Sequence, residues 1–308
     1  MKKTIVLCSY NGEKYIKEQL ESLKRQSVKP DEVLVFDDRS TDHTTEIVQQ
    51  FIDENKLNNW KLIVREKNMG WKKGFIDAFK QADGDIIFPC DQDDVWDEYK
   101  IEKMSSVMEM DENVQVLVGN YRTLYEGEEY QKIDKVFSRD LSNDGTYHKI
   151  NADEKGVYIC RPGCVMAFRK SFFEFAMQYY FEDYPHDALL WRNAVYADGL
   201  YQLNYEVIAY RRHGGNASDV KKHTRKEKYE SVCYYIQVID QLMKMTLQKE
   251  DKEKAALLER TRKVWELRKK YYETGNIFCW LKLFLFNRKY YLTLKAVLGD
   301  LYLVMFNR

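Results

Sequence analysis

The chain has 308 residues, enough for one large domain with an appendage or for two domains, and too few for three. Apolar residues make up 44% and charged residues 32%, while Gly (14) and Pro (4) are scarce, which excludes disordered, low-complexity and collagen-like chains. The 49 Lys and Arg balance 49 Asp and Glu, which argues against a dedicated nucleic-acid binder.

In chain order, Ile5–Cys8 is a short apolar run that predicts a buried strand, followed by a Ser9-Tyr10-Asn11-Gly12 loop. Ile16, Leu20 and Leu23 follow at helical spacing. Val33–Phe36 predicts a second strand running into Asp37-Asp38-Arg39-Ser40-Thr41-Asp42. A helix with Ile47, Val48, Phe51 and Ile52 on one face comes next, then a strand over Leu62–Val64. Phe75, Ala78, Phe79 and Ala82 mark a third helix, and Ile86–Phe88 a fourth strand that leads to Asp91-Gln92-Asp93-Asp94. Strand, loop and helix in repetition imply right-handed crossovers and a parallel sheet covered by helices. Residues 121–160 are polar and patternless. Beyond them the sequence predicts a strand over Val165–Phe168, helices over Phe172–Tyr180 and His186–Ala197, and two short strands over Tyr201–Leu203 and Val207–Tyr210.

After residue 220 the character changes. A basic run (Lys221, Lys222, Arg225, Lys226, Lys228) leads into helical patterns, and Gly275–Arg308 is dense in apolar and aromatic residues. The expected organisation is one sheet-bearing domain over 1–220, in two halves that divide at about 120, plus a helical region over 221–308. The six cysteines form no zinc pattern, and Cys160 and Cys164 read as two small buried thiols. No signal peptide or membrane-spanning run is expected, so the predicted compartment is the cytosol.

Ligands of such sheets gather at the carboxyl ends of the strands. Three polar clusters lie there: Ser9–Gly12, Asp37–Asp42 and Asp91–Asp94. An Asp-x-Asp after a strand suits a hard divalent cation, Mg²⁺ or Mn²⁺, carrying a diphosphate, although turns and helix caps use the same residues. The second cluster offers carboxylates to a nucleotide base or ribose, and Ser40, Thr41 or Asp42 equally suits a helix N-cap.

The assembled pattern resembles the family-2 glycosyltransferases of GT-A fold. The matching pieces are TIVLCSYNGEKYI at 4–16, DEVLVFDDRSTDHT at 31–44, NMGWKKGF at 68–75, GDIIFPCDQDDVW at 84–96, PHDALLW at 185–191 and YRRHGGN at 210–216. The last two and the DQDDVW form are most similar to the bacterial rhamnosyltransferase-like branch. The resemblance implies an α/β fold with a mostly parallel central sheet, a helical C-terminal appendage, and inverting transfer of a sugar, with rhamnose a candidate, from a UDP- or dTDP-sugar. It matches Ser9 and Tyr10 to the base-contacting loop, Asp38 to the acid that reads the pyrimidine, and Asp91 to the acid near the ribose. It matches Asp93 to the metal ligand, His213 to a late ligand of metal or diphosphate, and Asp187 to the catalytic base, with Asp183 its rival. Lys73 reads as a solvated helix start, and Trp96 as core packing or a sugar platform.

The acceptor implied is a saccharide, free or lipid-linked, in bacterial surface polysaccharide synthesis at the inner face of the plasma membrane. A nucleotidyltransferase would need a glycine-rich phosphate loop after the first strand, which Ser9-Tyr10-Asn11-Gly12-Glu13 is not. A non-catalytic sugar-nucleotide-binding protein of the same fold is the other alternative. Within 221–308 the mixture of cations and aromatic residues fits either contact with a membrane surface through 276–306 or packing in a homodimer.

Overall fold

The computed structural model describes residues 1–127, 142–214 and 224–306. They form two compact units: Met1–Ile150, Arg161–Ala194 and Gly199–Ala217 in the first, and Asn151–Cys160, Val195–Asp198 and Ser218–Arg308 in the second. Lys221 and Lys222 of the basic run lie outside the described residues, as does the glycine-rich end of YRRHGGN beyond Gly214.

The first unit is built on a nine-stranded sheet with β1 (Lys3–Ser9), β2 (Glu32–Asp37), β3 (Trp60–Val64) and β4 (Ile86–Cys90) at one side. These four lie in the order β3-β2-β1-β4, and every neighbour is parallel. Ile5, Val6, Leu7, Val33, Val35, Ile86, Ile87 and Phe88 are fully buried. Both faces of these strands are covered, so each reads as a continuous apolar run. Helices α1 (Ile16–Lys24), α2 (Thr44–Glu54) and α3 (Gly70–Gln81) are the crossovers. The strand order reverses between β1 and β4, and a crevice opens at such a switch point beyond the carboxyl ends.

Past β4 the sheet is mixed rather than parallel. The order continues β4-β8-β6-β9-β5 with β8 (Met166–Arg169), β6 (Val116–Tyr125), β9 (Leu200–Arg212) and β5 (Val95–Trp96); β7 (Tyr147–Lys149) also pairs with β9. Here β4–β8, β6–β8, β5–β9 and β7–β9 are antiparallel and only β6–β9 is parallel. Neither α4 (Lys100–Met110) nor β6 stands out in the sequence. Gly119-Asn120 interrupts β6 where its register with β9 shifts, and a Cβ at Gly119 would lie 2.6 Å from Val207. The same irregularity merges the two short strands expected over 201–210 into one. Helices α5 (Lys170–Ala176) and α6 (His186–Tyr196) complete this half.

The second unit is helical: α7 (Arg225–Gln248), α8 (Lys252–Thr274), α9 (Ile277–Phe286) and α10 (Leu294–Met305). A capping box between Thr224 and Glu227 starts α7, and Gly275, at φ 67°, ends α8 in the left-handed region that favours glycine. Trp265 stacks on Tyr235 with ring centroids 4.4 Å apart. Arg268 grips Asp300 with two bonds of 2.6 and 2.8 Å, and the Tyr272 and Tyr291 hydroxyls donate to the same carboxylate at 2.6 and 3.0 Å. Both oxygens of the buried carboxylate are therefore served from within the unit. Asp300→Asn strands the guanidinium, and we expect it to cost about 3–5 kcal/mol in denaturant unfolding. Tyr272→Phe removes one bond and should cost about 1 kcal/mol. Cys164 is buried as expected, but Cys160 is exposed. No helix among the described residues is long and apolar enough to cross a membrane.

Candidate active site

The loops after β1 and β2 are laced together before any ligand arrives. Asp37 is fully buried; its carboxylate accepts the Ser9 hydroxyl at 3.0 Å, the Ser40 amide at 2.7 Å and the Ser40 hydroxyl at 2.6 Å. Asn11, at φ 47°, donates its amide to Ser40 Oγ and accepts from the Thr41 amide, both at 2.8 Å. Asp42 accepts the Thr44 amide at 3.0 Å just ahead of α2, but the helix N-cap is His43 and makes no side-chain capping bond, so none of Ser40, Thr41 and Asp42 is the cap. Ser9 is thus spent on fixing the loop, while Tyr10, 48% exposed, presents its ring. Asp38 faces the other way. It accepts the Met69 and Gly70 amides at 2.9 and 2.8 Å and sits 3.4 Å from Arg65. The two acids of the pair therefore do different work: Asp37 organises the β1 loop and Asp38 the entry to α3.

The loop after β4 closes the crevice. Gln92 accepts the Tyr10 amide at 2.8 Å and donates to the Tyr10 carbonyl at 3.0 Å, a two-way clamp across the switch point. Asp93 Oδ2 lies 2.8 Å from His213 Nε2, so two residues 120 apart in sequence meet as the resemblance implies. Each side chain is about 15% exposed, open enough for a ligand to reach. The His213 ring packs on Tyr15 at 4.6 Å between centroids. Arg211 holds the pair in place: its backbone amide donates to Asp94 Oδ1 at 2.9 Å and its Nε to the Asp93 carbonyl at 2.7 Å. Its guanidinium also meets Glu18, Glu126 and the Tyr15 ring. Lys14, the Tyr15 hydroxyl and Arg211 hold the Glu126 carboxyl down to about 2.

Negative charge accumulates behind this pair. Burial, followed by the Asp93 and Asp187 charges, pushes Asp91 up to about 7. Burial and the Asp93 and Asp91 charges push Asp94 well above the usual carboxylate range. Donor atoms of Asp91, Asp94 and Cys164 lie within 4.8 Å of one another, and Asp94 Oδ2 is buried without a hydrogen-bond partner of normal geometry. Lys100 lies fully buried beneath, donating to the Cys164 carbonyl at 2.5 Å and sitting 3.5 Å from the centre of the Trp96 ring. Burial draws it down to about 8. Trp96, 3% exposed, is therefore core and no sugar platform. A carboxylate oxygen and an imidazole nitrogen, backed by crowded acids, form a donor set that fits Mg²⁺ or Mn²⁺. The Cys164 thiol, kept protonated by burial, contributes no ligand for a hard cation.

Asp187 occupies the first turn of α6 and accepts the Ala188 amide at 2.7 Å. A Cβ at Gly163 would lie 3.2 Å from the Asp187 Cβ, and the next residue, Cys164, has its thiol within 4.8 Å of the Asp91 and Asp94 carboxylates, so Asp187 stands near the acids of the β4 loop. His186 is 5% exposed and wedged against Phe75 at 4.2 Å; burial lowers its pKa and keeps it neutral. It anchors the helix start, and a Cβ at Gly163 would come within 2.7 Å of its Nε2. Asp183 instead lies in an exposed turn at φ 64°, and Glu182 beside it pairs with Lys73 at 2.7 Å. Gln92, Tyr15 and Arg211 fall inside matched motifs and Glu126 in none, but the roles of all four depend on distant partners.

A sheet with this switch point, a carboxylate–histidine pair at the ends of β4 and β9, and helices over both faces defines a GT-A fold. Crystal structures of similar fold include Staphylococcus aureus TarS 1–349 in complex with UDP-GlcNAc (TM-score 0.65, 20% identity, 99% of this chain and 81% of that one). Another is the Pyrobaculum calidifontis mannosyltransferase PcManGT in complex with GDP-Man and Mn²⁺ (TM-score 0.51, 16% identity, 98% and 85%). The chain belongs to glycosyl transferase family 2, whose family model matches residues 4–175. In sequence it is 42% identical over 97 residues to the poly(ribitol-phosphate) beta-N-acetylglucosaminyltransferase TarS of S. aureus, a match of 30% of this chain and 16% of TarS. It is 33% identical over 121 residues to the Escherichia coli UDP-Glc:alpha-D-GlcNAc-diphosphoundecaprenol beta-1,3-glucosyltransferase WfgD, covering 39% of this chain and 46% of that protein. The protein is thus a glycosyltransferase of this family.

Proposed function

We propose that the protein transfers a sugar, with inversion and with Mg²⁺ or Mn²⁺ bound, from a UDP- or dTDP-sugar to a saccharide acceptor during assembly of a bacterial surface polysaccharide. The observation that carries the reading is the Asp93–His213 pair at the ends of β4 and β9, with Asp187 beside the segment whose Cys164 meets Asp91 and Asp94. Tyr10 offers its ring to the base, Asp38 and Asp91 bind the nucleoside, and Asp93 and His213 hold the cation. The cation, when bound, offsets the charge of the diphosphate as it leaves. Asp187 takes the proton from the attacking acceptor hydroxyl, the one base that a single inverting displacement needs. Lipid-linked acceptors, as in the name of WfgD, would place the reaction at the inner face of the plasma membrane. GlcNAc, from the likeness to TarS, and rhamnose, from the DQDDVW and YRRHGGN motifs, are the first donor sugars to test.

The test is release of nucleoside diphosphate from UDP-GlcNAc, UDP-glucose and dTDP-rhamnose, with Mg²⁺ or Mn²⁺ and with chelator. We expect metal-dependent release from at least one donor, stimulated by acceptor. Pyrophosphate release from a nucleoside triphosphate and a sugar phosphate would instead identify a nucleotidyltransferase. Binding of donor without turnover by any acceptor or water would identify a non-catalytic protein.

A further inference from the structure

Helices α9 and α10 bury one face and leave the other bare. Cys279, Trp280, Leu283, Tyr290, Tyr291, Val297 and Val304 are all buried, and the Trp280 indole donates to the Val297 carbonyl at 3.0 Å. On the outer side Phe278 is 70% exposed, Leu285 62%, Phe286 75%, Tyr302 61% and Phe306 74%. Of the twenty large apolar side chains exposed among the described residues, eleven fall between Ile277 and Phe306, so the exposure is a patch and not a scatter. In α9 the outward residues Phe278, Leu281 and Leu285 recur at helical spacing; in α10 Leu294, Leu298 and Tyr302 do the same. Between the two helices an open cavity of about 550 Å³ is lined by Leu285, Phe286, Leu292 and Leu294 together with Arg288 and Lys289.

Charge selects the occupant. Residues 276–306 carry four cations, Lys282, Arg288, Lys289 and Lys295, all exposed. The single acid in this segment, Asp300, is buried against Arg268. Lys289 reaches Glu154 of the same unit; the remaining three make no ion pair among the described residues. A second copy docked about a two-fold axis would set these cations against themselves. An anionic lipid surface meets both features at once: headgroup phosphates take the cations, at about 1 kcal/mol each near the surface, and the acyl boundary takes the aromatic and Leu side chains. A ten-residue helix is only about 15 Å long, half the hydrocarbon thickness, so α9 lies in the interface and does not span it.

We infer that the bare face of α9 and α10 is a docking surface for an anionic lipid bilayer, independent of the chemistry in the sheet. Flotation with vesicles of phosphatidylcholine, alone or mixed with phosphatidylglycerol, tests it. At least a tenfold excess of protein should float with the anionic vesicles, and high salt should abolish the excess. The triple variant Phe278→Ser, Phe286→Ser, Phe306→Ser should lose flotation, as should Lys282→Gln, Arg288→Gln, Lys295→Gln. These positions are exposed, so both variants should keep the circular dichroism spectrum and the rate of donor hydrolysis of the parent. Absence of flotation by a folded, hydrolytically active protein overturns the surface and leaves the transferase reading standing. Equal flotation with neutral vesicles overturns it too. A dimer in lipid-free solution that the aromatic variant converts to monomer would assign the face to a second copy instead.

Discussion

Asp187→Asn lowers turnover by roughly 10²–10⁴, the worth of a general base, while donor affinity stays close to that of the parent. The substitution is chosen for what it keeps. Asn retains an oxygen that can accept the Ala188 amide, so the first turn of α6 survives, and the lost charge at the helix start costs only about 0.3–1 kcal/mol. His186, locked under Phe75, holds the backbone where it was. What disappears is the capacity to take a proton from the acceptor. The expected signature is therefore a fall in kcat with Kd for the donor unchanged, measured by single-turnover kinetics and by titration of donor alone. Asp183→Asn is the control, since Asn tolerates the left-handed backbone there, and it should leave turnover near the parent's. A dead Asp183 variant beside an active Asp187 variant would transfer the role to the exposed turn.

Asp93→Ala removes turnover by a factor of about 10³ or more, as the loss of a charge-offsetting ligand in a water-poor site predicts. The backbone of the loop should stay in place, because Arg211 grips the Asp93 carbonyl and not its carboxylate. Asp93 also raises the proton affinity of Asp91 and Asp94, so its removal lowers the pKa of both toward ordinary carboxylate values. With metal absent the variant should be at least as stable as the parent, since a repelling charge has gone. Direct metal titration and thermal unfolding in chelator separate the two effects. Full activity of the variant, or of the parent in excess chelator, would remove the metal from the mechanism. His213→Ala should weaken metal binding more mildly, since the Asp93 carboxylate and its charge stay in place.

The parallel strands and their loops could be read from the chain because each buried strand is an apolar run that ends in polar residues. Ser9, Asp38, Asp91 and Asp93 were visible for that reason, as residue types at strand ends. The acceptor half hid itself in two ways. Gly119 and Asn120 break the alternation of β6 at its bulge, and the irregular pairing at Leu203–Tyr205 makes one long strand look like two. Arg211 and Gln92 were hidden for another reason. Both lie inside matched motifs, but their work is done on partners 117 and 82 residues away, Asp94 and Tyr10, so the motif does not show what they do. Local pattern also could not separate Asp37 from Asp38; only the directions of their hydrogen bonds do.

The span of the Asp93–His213 pair bears on how the protein matures on the ribosome. The strands β3-β2-β1-β4 and their crossovers close among residues within the first 90 or so, and the loops tied by Asp37 and Gln92 need nothing later. The bond between Asp93 and His213 needs another 120 residues, and the grip of Arg211 on the β4 loop needs nearly as many. Contacts of such separation form after local ones, and synthesis delivers the N-terminal part first. A nascent chain therefore acquires the loops proposed here to cradle the nucleoside well before it can assemble the pair proposed to hold the cation.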